Sequence, residues 1–293
     1  DRIESRGLGD VYKRQLFRTS QYHSTIQNLF EPDRMEVVPL FSKVYGEGAP
    51  LIILHGLFGM GDNWATHAKH WAGLDWEVHA VDQRNHGKSP HHGVHNYDAM
   101  AADLEAYMDE KGLNTAVILG HSMGGKTAMH FAVSRPERVQ ALVVVDIAPK
   151  AYPIHHQGYI NAMKSVDFDA VQSRSAVDEI LAKSVDNAGI RQFFMKSLHW
   201  QSKEKLAFRF NLNTLEDQLQ EVGTPLGFGY FDRPTLFIAG GASGYINGED
   251  EDVILGHFPA AHIETIANAG HWVHAEAREP FSELVVDFLE DLV

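Results

Sequence analysis

The chain has 293 residues, 18 histidines, no cysteine and a formal net charge of −14. The missing thiols exclude cysteine nucleophiles, thiolate metal sites, iron–sulfur clusters and disulfides, which leaves covalent catalysis to Ser, Thr, Lys, Asp, Glu, His or Tyr. Hydrophobic residues at 44% and charged residues at 22% fit a globular chain, the acidic balance opposes nucleic-acid or anionic-membrane partners, and no apolar run approaches the ~18 residues of a membrane span.

Residues 1–34 are expected to form a tail outside the fold, disordered or artefactual. They are largely polar, residues 1–15 are aperiodic, and up to Gln27 they lack the apolar stretch of a secretory signal. A cytoplasmic location is the corresponding expectation. The folded pattern starts near Met35. Residues 37–45 read as a strand ending in the turn Gly46-Glu47-Gly48, and residues 51–54 as a short strand buried on both faces. A helix is predicted over 63–71 and a strand over 77–81. Apolar residues at helical spacing then predict Tyr97–Lys111, stopped by Gly112. A buried strand at 116–119, a helix at Met123–Ser134 closed by Arg135-Pro136, and a strand at Val139–Val145 follow. From Pro149 to Phe228 no buried strand is evident and helical segments dominate. Strands return at 235–239 and 263–267, before a final helix over 275–292.

Such alternation predicts an α/β fold with a mostly parallel central sheet flanked by helices. The core is expected over 35–148 and 229–293, with a helical insertion, read as a lid, over 149–228.

Gly120-His121-Ser122-Met123-Gly124 fits G-x-S-x-G between a predicted strand and helix. A nucleophile there stands clear of the sheet on a sharp turn. Small residues two before and two after the serine let strand and helix approach closely. The same stretch, GHSMGGKT at 120–127, also satisfies the phosphate-binding G-x-x-x-x-G-K-[ST]. The two readings part elsewhere in the chain. A serine hydrolase of this type needs an oxyanion loop after an earlier strand and a histidine near the C-terminus. His55-Gly56-Leu57-Phe58-Gly59 and Asn268-Ala269-Gly270-His271-Trp272 supply both. The oxyanion donors would be the backbone amides of Leu57 and Met123.

The acid has two candidates. The turn after the strand at 235–239 holds no carboxylate, and the next acids, Glu249 to Asp252, resemble the first turn of a helix. Asp146 ends a buried strand on the same rim as Ser122. A carboxylate there needs a partner, because burying an unpaired charge is costly. Asp146 is therefore preferred. Among the histidines, His55 is expected to hold the oxyanion loop in shape, His121 to pack, and His274 to face away. His86, His91, His92 and His95, with His155 and His156, match no metal-ligand spacing and are expected to be solvated loop residues. The polar loop Asp82 to Ser89 is expected mainly to order the rim of the site.

HGLFG at 55–59, DQRNHGKSP at 82–90, GHSMGGKTAM at 120–129, VVVDIAP at 143–149 and AGHWVHAE at 269–276 together resemble the YbfF-type esterases of the α/β-hydrolase superfamily. The resemblance runs from about Val37 to the C-terminus. It implies the α/β-hydrolase fold, carboxylesterase activity on small-molecule acyl esters or acyl thioesters, and an acid at Asp146. The expected catalytic residues are Ser122, His271 and Asp146, with no metal and no cofactor. Phe58, Phe193, Phe194, Trp200 and Trp272 are candidates for the substrate pocket. Serine at the elbow opposes dehalogenases and epoxide hydrolases, which place Asp there. A C–C bond hydrolase using the same triad, or a ligand-binding protein that retains it, remains an alternative.

Overall fold

A computed structural model describes residues 36–292. The expected tail, 1–34, lies outside the described residues. Seven strands form one sheet in the order β1-β3-β2-β4-β5-β8-β9. These are β1 (Ser42–Tyr45), β2 (Ala49–Leu54), β3 (Trp76–Val81), β4 (Ala116–His121), β5 (Val139–Val145), β8 (Thr235–Gly240) and β9 (Ala261–Ile266). Only β1 runs antiparallel; it pairs with β3. β2, β4, β5 and β8 are almost continuously apolar and buried, as parallel strands covered on both faces must be. Their carboxyl ends share one edge, where ligands bind in open α/β sheets.

The helices α1 (Ala65–Ala72), α2 (Tyr97–Lys111) and α3 (Met123–Ser134) pack with the sheet in its apolar clusters, as does the C-terminal segment through Phe281, Val285 and Leu289. Gly112 ends α2 in the left-handed conformation, φ 70°, where glycine carries no Cβ penalty. The insertion contains α4 (Gln157–Lys164), α5 (Arg174–Leu181), α6 (Ala188–Lys196), α7 (Leu212–Asp217) and α8 (Leu219–Val222). It builds a second apolar cluster that reaches down to Leu57, Phe58, Tyr97, Met100 and Met123.

Three expectations need correction. The strand expected over 37–45 is regular only at Ser42–Tyr45. Residues 198–208 carry a short hairpin, β6 (Leu198–Trp200) with β7 (Leu206–Phe208), too brief for period-two alternation to register. The final helix is split into α10 (Val273–Glu276) and α11 (Arg278–Glu290). Pro280 lacks the N–H that an unbroken helix would bond to Glu276, so it fits only in the first turn of a new helix. The acids at 249–252 do open a helix, α9 (Glu251–His257), after a capping box at Asn247 and Asp250. Among the described residues, no helix is long and apolar enough to cross a membrane.

Lys126 of α3 is buried and donates to the carbonyls of Lys150 and Thr224, at the two ends of the insertion. Burial pushes its ammonium down to about 7. This lysine therefore pins the insertion to the core and is not free for phosphate, which removes the structural basis of the phosphate-loop reading.

Seven of the described histidines are buried, namely His55, His67, His79, His86, His95, His121 and His274. Burial lowers the pKa of His95 to about 3 and those of the less deeply buried His130 and His156 to about 4. The unfolded chain protonates such rings near 6.5 while the folded chain holds them neutral. Stability is therefore fully present above the unfolded pKa and falls as pH drops from 6.5 towards the folded values. In denaturant titrations, replacing His95 by Gln is expected to make the acid slope of the unfolding free energy shallower by up to ~1.4 kcal/mol per pH unit, with no change in slope above pH 8. An unaltered slope would contradict a neutral, buried His95.

Candidate active site

Ser122 sits between β4 and α3 with φ 53° and ψ −118°. A non-glycine residue adopts such a backbone only when its surroundings impose it. Those surroundings are tight. A Cβ at Gly120 would lie 2.2 Å from the Gly124 oxygen, and one at Gly124 would lie 2.2 Å from the Leu54 oxygen. The two glycines of the motif thus allow strand and helix to meet, as the spacing required. The Ser122 side chain does not cap its helix, and its Oγ lies 3.0 Å from His271 Nε2.

His271 Nδ1 donates to Asp146 Oδ2 at 2.8 Å. With that proton on Nδ1, the Nε2 lone pair faces the serine hydroxyl. Asp146 is fully buried at the end of β5. Its Oδ1 accepts from the Gly240 amide at 2.8 Å and from Ser243 Oγ at 2.7 Å. The rival acid Asp250 is engaged elsewhere: it accepts from Lys150 at 2.7 Å and from the Asn247 amide at 2.9 Å. Two further groups steady His271. His121 Nε2 donates to the His271 carbonyl at 2.8 Å. Tyr245 stacks on the imidazole with centroids 4.0 Å apart and planes 20° apart. Tyr245 and Ser243 follow β8 in a turn without carboxylates, and nothing in their spacing marked them.

Leu57 lies in the turn after β2 that Gly59 closes by donating to the Gly56 oxygen at 2.9 Å. Met123 opens α3, where the first amides have no partner within the helix. Two imidazoles cross-brace the Leu57 turn against the loop after β3. His55 donates from Nδ1 to the Gly56 oxygen at 2.8 Å and accepts at Nε2 from the Gln83 amide at 3.0 Å. His86 donates from Nδ1 to the Arg84 oxygen at 2.9 Å and accepts at Nε2 from the Phe58 amide at 3.1 Å. Each ring must be neutral to accept, and burial holds the pKa of both below the usual histidine value. Arg84 anchors that loop through a buried fork to Asp103, with contacts of 2.6 and 2.8 Å. Asp82 adds bonds from the Gly61 amide at 2.6 Å and the Lys88 amide at 2.8 Å. The loop from Asp82 therefore orders the site through hydrogen bonds. The expectation of solvated histidines is corrected for His86 and His95, which are wholly buried because this loop folds inward.

Beside Ser122 opens a cavity of about 200 Å³, walled by Phe58, Tyr159, Ile190, Phe193, Phe194 and Trp272. Four of the five aromatic candidates for the pocket line it. Trp200 does not: it is 51% exposed on the β6–β7 hairpin. Aromatics serve both pocket and packing. Phe193 lies 5.5 Å from Trp272 across the cavity, whereas Phe208 and Phe210 stack at 5.0 Å within the insertion. His155 and His156, expected in solvated loops, also line the cavity, and His155 Nε2 lies 2.7 Å from the Tyr245 hydroxyl. Among the described residues, no group of three or more His, Asp or Glu could hold a metal ion.

A family model for the α/β hydrolase fold matches residues 49–169. The mouse sn-1-specific diacylglycerol lipase ABHD11 is 41% identical over 247 residues, 82% of this chain and 80% of the relative. Esterase YbfF of Escherichia coli is 36% identical over 247 residues, 83% of this chain and 94% of that protein. The solved structure of a marine microorganism esterase superposes with a TM-score of 0.83 at 36% identity, covering 86% of this chain and 99% of that one. Identity of this extent over four fifths or more of each relative, on a shared fold, places the chain in the α/β-hydrolase superfamily as a member of its YbfF-type esterase family.

Proposed function

We propose that this chain hydrolyses carboxylic acyl esters, with acyl thioesters as a second substrate class, through a covalent acyl-enzyme on Ser122. The observation that carries the reading is the unbroken line from Asp146 through His271 to Ser122, with contacts of 2.8 and 3.0 Å. His271 takes the hydroxyl proton as Ser122 attacks the carbonyl carbon. Asp146 keeps the imidazole in the tautomer that can accept that proton and balances the charge it acquires. The Leu57 and Met123 amides receive the oxyanion. His271 then protonates the leaving oxygen or sulfur, and a water deprotonated by His271 releases the acid. The insertion acts as a lid whose Phe193 and Phe194 close over the apolar part of the substrate. The names of the relatives, an esterase and a diacylglycerol lipase, agree with acyl esters as substrates.

Turnover of a p-nitrophenyl short-chain ester tests the assignment. Ser122→Ala is expected to abolish it, and Asp146→Asn to lower kcat by about 10⁴. Asp250→Asn should leave kcat close to that of the unaltered protein. No turnover by the unaltered protein would favour a ligand-binding protein, full activity in Ser122→Ala would overturn the mechanism, and loss confined to Asp250→Asn would move the acid to the other candidate.

The bracing of the oxyanion turn generates a separate expectation. His86→Phe removes the acceptor for the Phe58 amide while keeping a ring in place. Its kcat is expected to fall by about tenfold or more, short of the ~10²–10³ that follows deletion of an oxyanion donor. An unchanged kcat would mean that the turn holds its shape without His86.

A further inference from the structure

The insertion leaves β5 only a few residues after Asp146, and its first residues are laced to its last. The Tyr152 amide donates to the Gly223 oxygen and the Leu226 amide to the Pro149 oxygen, each at 2.9 Å. From this hinge the Tyr152 side chain packs back on the core. Its hydroxyl accepts from the Ala148 amide at 2.8 Å and donates to the Tyr245 carbonyl at 2.6 Å. The Tyr245 amide donates in turn to Ser243 Oγ at 3.2 Å, and Ser243 Oγ donates to Asp146 Oδ1 at 2.7 Å. Ala148 lies two residues beyond Asp146. Four hydrogen bonds therefore close a circuit that leaves the Asp146 backbone and returns to its carboxylate.

The acid needs such a circuit. Asp146 has φ 51°, a backbone that a non-glycine residue holds only when its neighbours impose it. β5 ends at Val145 and β8 at Gly240, so no strand ladder ties the segment at 146–148 to the turn at 243–245. The Tyr152 hydroxyl spans them. Burial raises the pKa of that phenol above its usual value, so it stays protonated and can donate. Bonds in one chain polarise one another, so loss of a single link weakens the others. The Tyr152 ring makes separate contacts: it stacks on Tyr245 with centroids 5.3 Å apart, and Lys126 Nζ lies 5.1 Å from its centroid.

We propose, resting on the ester-hydrolase reading above, that Tyr152 is a positioning residue whose hydroxyl sets the Asp146 carboxylate for His271 by joining the segment after β5 to the turn after β8. Because Tyr152 belongs to the hinge of the insertion, seating of the insertion and setting of the acid are coupled.

Tyr152→Phe isolates the hydroxyl, since it keeps the stacked ring. With a p-nitrophenyl ester its kcat is expected to fall by about tenfold at little changed KM, less than the ~10²-fold that an ångström of misplacement can cost. Ser243→Ala breaks the same circuit, so in the double variant the two losses are expected to combine to less than their product. Tyr97→Phe is the control: its hydroxyl donates to the Val222 oxygen at 2.7 Å, at the same hinge but outside the circuit, and its kcat should stay close to that of the unaltered protein. Proton NMR supplies a readout that needs no turnover. The His271 Nδ1 proton, carried far downfield by its bond to Asp146, is expected to shift or broaden in Tyr152→Phe and to stay in place in Tyr97→Phe. An unmoved resonance with unchanged kcat in Tyr152→Phe, an equal fall in Tyr97→Phe, or fully multiplicative losses would overturn the positioning role and leave the hydrolase reading intact. Absence of Ser122-dependent turnover in the unaltered protein would overturn the hydrolase reading instead, and the resonance would still decide whether Tyr152 sets Asp146.

Discussion

The site is organised by one constraint: a carboxylate sealed from solvent must find enough donors to keep its charge. Asp146 is fully buried, and leaving a charge unpaired there would be costly. Three donors meet it, from the Gly240 amide, the Ser243 hydroxyl and the His271 ring. Two of these lie at or just after the end of β8 and the third lies beyond β9, so the carboxylate ties three neighbouring strand ends together. His271 is thereby fixed with its second nitrogen towards the strained serine. The geometry at Ser122 is a consequence of packing two strands beyond it.

A second layer of neutral imidazoles supports this arrangement. His55 and His86 each accept from the opposite loop, and His121 donates to the His271 backbone. All three are buried, which disfavours their charged forms. Neutrality is what lets His55 and His86 act as acceptors. A chain with many histidines can look like a metal or pH-sensing protein by composition. Here the rings that matter most to the site, apart from His271, work as fixed polar spacers between loops.

Much of this was legible in the sequence because it depends on local pattern. The glycines at 120 and 124 are demanded by contact with Leu54 and with one another, and that demand is written into five consecutive residues. The bounds of Tyr97–Lys111, Met123–Ser134 and Val139–Val145 follow from caps, Gly112, Pro136 and unbroken apolar runs. Asp146 could be singled out because a charge ending an apolar strand requires a partner. What could not be read depends on residues distant in sequence. Tyr245 stacks on His271 only because the turn after β8 passes over the loop after β9. His86 and His95 look like solvated loop residues until Arg84 and Asp103 draw their loop inward. Trp200 and Phe193 have equal standing as aromatics in a helical segment, and only the hairpin turns one outward while the other faces Trp272.

The central claim is that Ser122, activated by His271, forms the covalent intermediate. Mass spectrometry of the protein after reaction with a fluorophosphonate tests it most directly. A single adduct is predicted, on the peptide containing Ser122, with a rate of labelling that drops sharply in His271→Ala. Labelling on another residue, or at an unchanged rate in His271→Ala, would contradict the account.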